Sequence, residues 1–111
     1  MTVKIAVLKS GEQILCDIKE GFDEEKIITY ILENPCTIEL VENYSKQNEN
    51  NTNIILNKWP KFSEDNFIAI VTDFLATVVE PNSFIKKIYE EKFLDGNNKN
   101  TTTNERGNFN L

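Results

Sequence analysis

The stretch Val3-Lys4-Ile5-Ala6-Val7-Leu8-Lys9-Ser10-Gly11-Glu12-Gln13-Ile14-Leu15-Cys16-Asp17-Ile18-Lys19 decides the fold. Val3, Ile5 and Val7 alternate with Thr2, Lys4 and Ala6, so a strand here has one apolar face. Lys9-Ser10-Gly11-Glu12 is a tight-turn signal, in which Gly11 takes positive φ without steric cost. Ile14, Cys16 and Ile18 then alternate with Gln13, Leu15, Asp17 and Lys19, a second strand of matching length. The two runs predict an antiparallel hairpin.

Further β signals follow. Residues 20–26 are polar and acidic, a predicted loop carrying Phe22. Residues 27–32 are β-branched and aromatic, and Pro35, which has no N–H to give a ladder, marks a strand end, an edge or a bend. Residues 37–41 continue extended, 42–53 read as a polar hairpin tip, and 54–59 return as a strand that 60–66 break. Residues 67–71 and 74–79 are two short β runs separated only by Thr72-Asp73, too short for a crossover. They predict a tight hairpin or one sharply bent strand. Asn82 is a predicted helix N-cap, with Ile85, Ile88, Tyr89 and Phe93 on one side of a helix over about 82–93. That helix is expected to lie on the barrel or cover its open end.

The parts make a mainly all-β domain over 1–93, with five or more antiparallel strands and a C-terminal helix. An open sheet of this size leaves two edges that invite aggregation, so it should close into a small barrel or pair its edges between subunits. Residues 94–111 are almost entirely polar and cannot offset about 1–2 kcal/mol per residue of ordering entropy. They predict a disordered tail in which Phe109 and Leu111 are too isolated to dock.

Composition narrows function by exclusion. The 111 residues carry 12 basic and 18 acidic side chains, a net charge of −6, and no histidine. His-based triads, Cys–His pairs, His-ligated zinc and imidazole proton shuttles are excluded. The acidic balance argues against a generic binder of duplex DNA or anionic membranes. Cys16 and Cys36 have no CxxC partner; they read as reduced, small apolar residues, with a disulfide as the open alternative. No apolar run approaches the roughly 20 residues that span a bilayer, and the N-terminus lacks a signal-peptide pattern. A soluble, intracellular, non-secreted protein is expected.

The run from Val7-Leu8-Lys9-Ser10-Gly11-Glu12 through Gly21-Phe22-Asp23-Glu24 resembles the first motif of the Sm/LSm family, over roughly residues 3–32. The double run over 67–79 sits where that family's second motif falls. As a whole the chain resembles the small Sm-like proteins of cyanophage and marine metagenomic origin, which share the Leu-Lys-Ser-Gly-Glu opening and a Val-Glu-Pro lead into a C-terminal helix. The resemblance implies a strongly bent five-stranded antiparallel barrel with a C-terminal helix, and edge strands that pair between copies into a homo-oligomeric ring. It also implies single-stranded RNA bases on the inner rim, between an Asp-x-x-x-Asn loop and an Arg-Gly turn. Asp23 carries over as the loop aspartate, but Glu24, Glu25 and Lys26 follow it without the asparagine, and Thr72-Asp73 stand where Arg-Gly is expected. Losing the guanidinium removes a stacking surface, and Asp73 adds repulsion.

The candidate nucleic-acid contacts are therefore Phe22, Asp23 and Lys26 in the first loop, and Lys58, Trp59 and Lys61 in the one basic and aromatic cluster, Lys58-Trp59-Pro60-Lys61-Phe62. Trp59 and Phe62 are suited to stack bases while Lys58 and Lys61 neutralise phosphates; the plainer alternative has Trp59 closing the core. On the stacking reading, Trp59→Ala abolishes nucleic-acid binding and leaves the ring intact. Lys86-Lys87 reads as a solvent face, and the pairs Glu24-Glu25, Glu64-Asp65 and Glu90-Glu91 as solvated charge, since no calcium-loop spacing accompanies them. Ser10 and Ser83 have no histidine base. No catalytic residue, metal or cofactor is assigned. A homo-oligomeric ring binding RNA in a phage context is expected, with an adaptor ring for a protein partner as the alternative.

Overall fold

The computed structural model describes residues 1–44, 50–94 and 104–107. Its elements are β1 (Val3–Leu8), β2 (Gln13–Asp23), β3 (Lys26–Tyr44), β4 (Asn50–Lys58), β5 (Phe67–Val71), β6 (Leu75–Val79), α1 (Ser83–Leu94) and β7 (Asn104–Gly107). All pairings are antiparallel, in the order β6-β1-β2-β3-β4-β7, with β5 joined to β3. The chain is mainly β with one C-terminal helix, as expected. The β1–β2 hairpin forms with Val3 opposite Asp17 and Val7 opposite Gln13. Gly11 turns the corner at φ 94°, where a side chain is strained, and Leu8 N–H closes the turn on Glu12 O at 2.9 Å.

Curvature comes from two irregularities facing each other. β2 carries a register shift between Leu15 and Asp17, and β3 turns at Asn34 (φ 48°) before Pro35. At this point β3 changes partner. Residues 29–33 pair with β5, whereas Cys36–Tyr44 pair with β4. Pro35 thus occupies the seam between two ladders, where its missing N–H costs no ladder bond. The seam is still tied down, because Asn34 N–H donates to Asn66 O at 2.7 Å and Pro35 O accepts from Trp59 N–H at 3.0 Å.

The bent sheet buries both faces of the first half of β2. Ala6, Leu8, Ile14, Cys16 and Leu32 pack inside the curve, with Trp59, Ile70 and Leu75 against them. On the other face Val3, Ile5, Leu15, Cys36, Ile54 and Leu56 pack against Ile85, Ile88 and Tyr89 of α1. The helix starts where expected, since Asn82 Oδ1 accepts from Ile85 N–H at 2.9 Å. It lies on the sheet face as one of the two expected positions. Tyr89 fastens it: its buried hydroxyl accepts from Asp17 N–H (3.0 Å) and donates to Glu33 O (2.8 Å), bridging the shift in β2 and the bend in β3.

Several boundaries differ from the sequence reading. The loop expected over 20–26 shrinks to Glu24-Glu25, because β2 and β3 pair through Gly21–Thr29, Phe22–Ile27 and Asp23–Lys26. Backbone ladders need no apolar side chain, so polar composition hid these rungs. The same holds for the expected tip over 42–53, where Glu42–Thr52, Asn43–Asn51 and Tyr44–Asn50 extend the β3–β4 ladder. The two short runs over 67–79 are not a hairpin: β5 bonds β3, β6 bonds β1, and a single 3-10 turn, Thr72–Phe74, bends the chain between them. Six strands precede the helix, within the five or more read from the residues and one beyond the five that the resemblance implied, with the expected break over 60–66 between β4 and β5. Most of the expected tail, 95–103 and 108–111, lies outside the described residues. Asn104–Gly107 adds to the outer edge of β4.

Candidate nucleic-acid interface

Phe22, Asp23 and Lys26 sit together at the far end of the β2–β3 ladder. Asp23 and Lys26 form its last rung, and Glu24 (φ 48°) and Glu25 (φ 67°) make the two-residue turn beyond it. Gly21 brings the strands close, since a Cβ there would stand 2.4 Å from Thr29 Cγ2. Thr29 Oγ1 in turn donates to Ile70 O at 2.6 Å, holding β5 on β3. β5 runs antiparallel with Val71 beside Thr29, so the Thr72–Phe74 turn leaves β3 before the ladder reaches Asp23 and Lys26. Phe74 O in that turn accepts from Lys9 N–H, in the turn between β1 and β2, at 2.8 Å. Asp23, Glu24, Glu25 and Asp73 are all exposed, as are the cations Lys26 and Lys9. Four carboxylates outnumber two cations on these turns and disfavour phosphate.

Phe22 is 60% exposed and lines an open cleft of about 480 Å³ between β1, β2, β3 and β6, with Ile18, Tyr30 and Val78 as its apolar wall and Lys4 and Glu20 also lining it. Lys4 is ion-paired with Glu80 just after β6. The cleft thus runs along the β6 side of the molecule.

Lys58, Trp59 and Lys61 lie in a different place, where β4 gives way to the loop before β5. Trp59 is half-buried against the inner core, and its indole N–H donates to Glu12 Oε2 at 3.2 Å across from the first turn. Lys58 Nζ donates to Asp65 O within the loop. Lys61 is exposed, its Nζ 5.5 Å from the centre of the Phe62 ring, and Phe62 itself is 93% exposed. The arrangement engages Trp59 and Lys58 internally and leaves Lys61 and Phe62 facing solvent.

No described group offers a strong nucleophile. Burial pushes the Cys16 thiol up to about 12, with Asp17 adding to the shift, and the Cys36 thiol up to about 11. Both stay protonated at neutral pH, buried on opposite faces of the sheet. Burial likewise raises the Tyr89 phenol well above its ordinary range. Among the described residues no three Cys, Asp or Glu side chains gather to hold a metal ion, and no helix is long and apolar enough to cross a membrane.

Sequence patterning missed the apolar side chains that the two bent runs leave in solvent: Phe67 and Val71 on β5, Phe74 in the turn and Val79 on β6. Their alternation is visible in the chain, but which face is covered depends on strand partners. A family model described as an Sm_like domain matches residues 3–90. No curated protein matches the chain.

Proposed function

The chain belongs to the Sm-like family, and from that premise we propose that it is a non-enzymatic protein that closes into a homo-oligomeric ring and holds single-stranded RNA, in the host cytoplasm of a phage that encodes it. The observation that supports the ring is a pair of unfilled edges. β5 is bonded on one side to β3 and β6 on one side to β1, and no described strand takes either remaining side. Phe67 (58% exposed), Val71 (52%) and Val79 (41%) accompany those edges. Copies that pair the β5 of one with the β6 of the next fill both of these edges and close on themselves. The cleft beside Val78 then receives apolar side chains of the neighbour rather than water.

The exposed carboxylates of Asp23, Glu24, Glu25 and Asp73 favour a second reading, a ring that serves as adaptor for a protein partner, because a rim that repeats these charges in every subunit repels RNA. The net charge of −6 likewise offers no field for duplex DNA or an anionic bilayer. Gel filtration with light scattering tests the ring: a mass several times that of the protomer is expected, falling to one protomer in a Val71→Lys, Val79→Lys variant of unchanged circular dichroism. A wild-type chain that stays monomeric at micromolar concentration overturns it. The 260/280 nm absorbance ratio of the purified assembly and a salt titration of uridine-rich RNA separate the two readings. Affinity falling steeply with salt supports RNA, and no binding at low salt supports the adaptor.

A further inference from the structure

We propose that the loop over 59–66 carries a base-stacking contact for single-stranded RNA, in which Phe62 is the stacking ring and Lys61 the cation beside it. The inference rests on the RNA reading above and places the contact. Trp59, the larger aromatic of the same cluster, is withdrawn from this role, because it packs on the inner core and its N–H is bound to Glu12. Lys58 is tied to Asp65 O. Phe62 stands out in solvent at 93% exposure, and its ring fills no part of either core.

The support beneath that ring is stiff. Trp59 N–H donates to Pro35 O at one end of the loop, and Asn34 N–H donates to Asn66 O at the other. Within it, Ser63 N–H donates to Pro60 O at 3.2 Å and Asp65 N–H to Ser63 Oγ at 3.0 Å. The loop backbone beneath the ring is already ordered when a base stacks on it, so less of the stacking energy goes to ordering the loop. Lys61 Nζ, 5.5 Å from the ring centre, is within reach of the phosphate next to a stacked base. Glu64 and Asp65, exposed on the same loop, oppose a longer phosphate track. The contact therefore takes one or two nucleotides per copy, and repetition around the ring supplies avidity.

Fluorescence anisotropy with labelled ten-nucleotide oligouridine and oligoadenine RNA tests this on the assembled full chain. Phe62→Ala is expected to weaken binding about tenfold or more, and Phe62→Tyr to restore it. Lys61→Gln is expected to weaken it a few-fold and reduce the salt slope by about one per copy. Gel filtration checks that each variant assembles as wild type does. Equal binding by wild type and Phe62→Ala overturns the stacking contact and leaves the RNA reading in place. A wild-type assembly that binds neither oligonucleotide at low salt overturns the RNA reading and this contact with it.

Discussion

Removing one oxygen atom, in Tyr89→Phe, tests whether α1 shapes the barrel. The Tyr89 side chain is fully buried, and its ring sits 4.7 Å from that of Phe93, contacts that phenylalanine keeps. What is lost is the hydroxyl, which accepts from Asp17 N–H at 3.0 Å and donates to Glu33 O at 2.8 Å, with Asn34 O at 3.1 Å. The Asp17 N–H is left buried without that acceptor, at about 1–3 kcal/mol, and the donated bond adds about 1 kcal/mol, so a loss of about 2–4 kcal/mol is expected. For a domain of this size that lowers Tm by roughly 10–25 °C. Urea unfolding at fixed protomer concentration measures it, since assembly shifts apparent stability by mass action. The midpoint should fall at unchanged slope. A loss below about 0.5 kcal/mol would refute the claim that this hydroxyl joins the shift in β2 to the bend in β3.

Other outcomes follow from the same contacts. Gly21→Ala places a methyl against Thr29 Cγ2 and is expected to cost about 1–3 kcal/mol; adding Thr29→Ser, which deletes that methyl and keeps the hydroxyl on Ile70 O, should recover most of it in a double-mutant cycle. Trp59→Ala should lower stability by about 2–4 kcal/mol in urea, because the half-buried indole packs against the core of Ala6, Leu8, Ile14, Cys16 and Leu32; unchanged stability would mean that it is not packed there. Alkaline pH should destabilise the protein. The unfolded thiols lose their protons above the ordinary value of 9.0, while the folded chain keeps those of Cys16 and Cys36 to about 12 and about 11. The stabilisation is complete below pH 9 and is lost as pH rises toward those folded values, at up to about 1.4 kcal/mol per unit for each thiol. Cys16→Ala with Cys36→Ala should flatten the decline in thermal melts between pH 8.5 and 10.5, and an unchanged slope would assign it to other groups.

Local pattern was sufficient for much of this. The alternation over Val3–Leu8 and from Gln13 onward produced the first hairpin, Gly11 its turn, and Asn82 with Ile85, Ile88 and Tyr89 the capped helix and its buried side. Each depends on residues a few positions apart, whose geometry is fixed by backbone propensity and by the side-chain period of a strand or helix. The polar rungs from Gly21 to Asp23 and from Glu42 to Tyr44 were not legible, because ladder bonds are made by backbone that every residue carries. The site was legible in part. Composition marked the turn at Asp23 and the cluster from Lys58 to Phe62, but not which of their side chains would be free.

By itself, then, the order of residues determined a β-rich chain, its opening turn, its terminal helix and an acidic charge without imidazole chemistry. Tertiary structure decided that β3 trades one partner for another at Asn34-Pro35, that Trp59 turns inward while Phe62 turns out, and that β5 and β6 each keep one side unfilled. Those outcomes depend on groups far apart along the chain, such as the Tyr89 hydroxyl meeting Asp17 and Glu33 across 72 and 56 positions. Periodicity says which face of a strand is apolar. What covers that face is settled only when distant segments compete for the same edges and the same core.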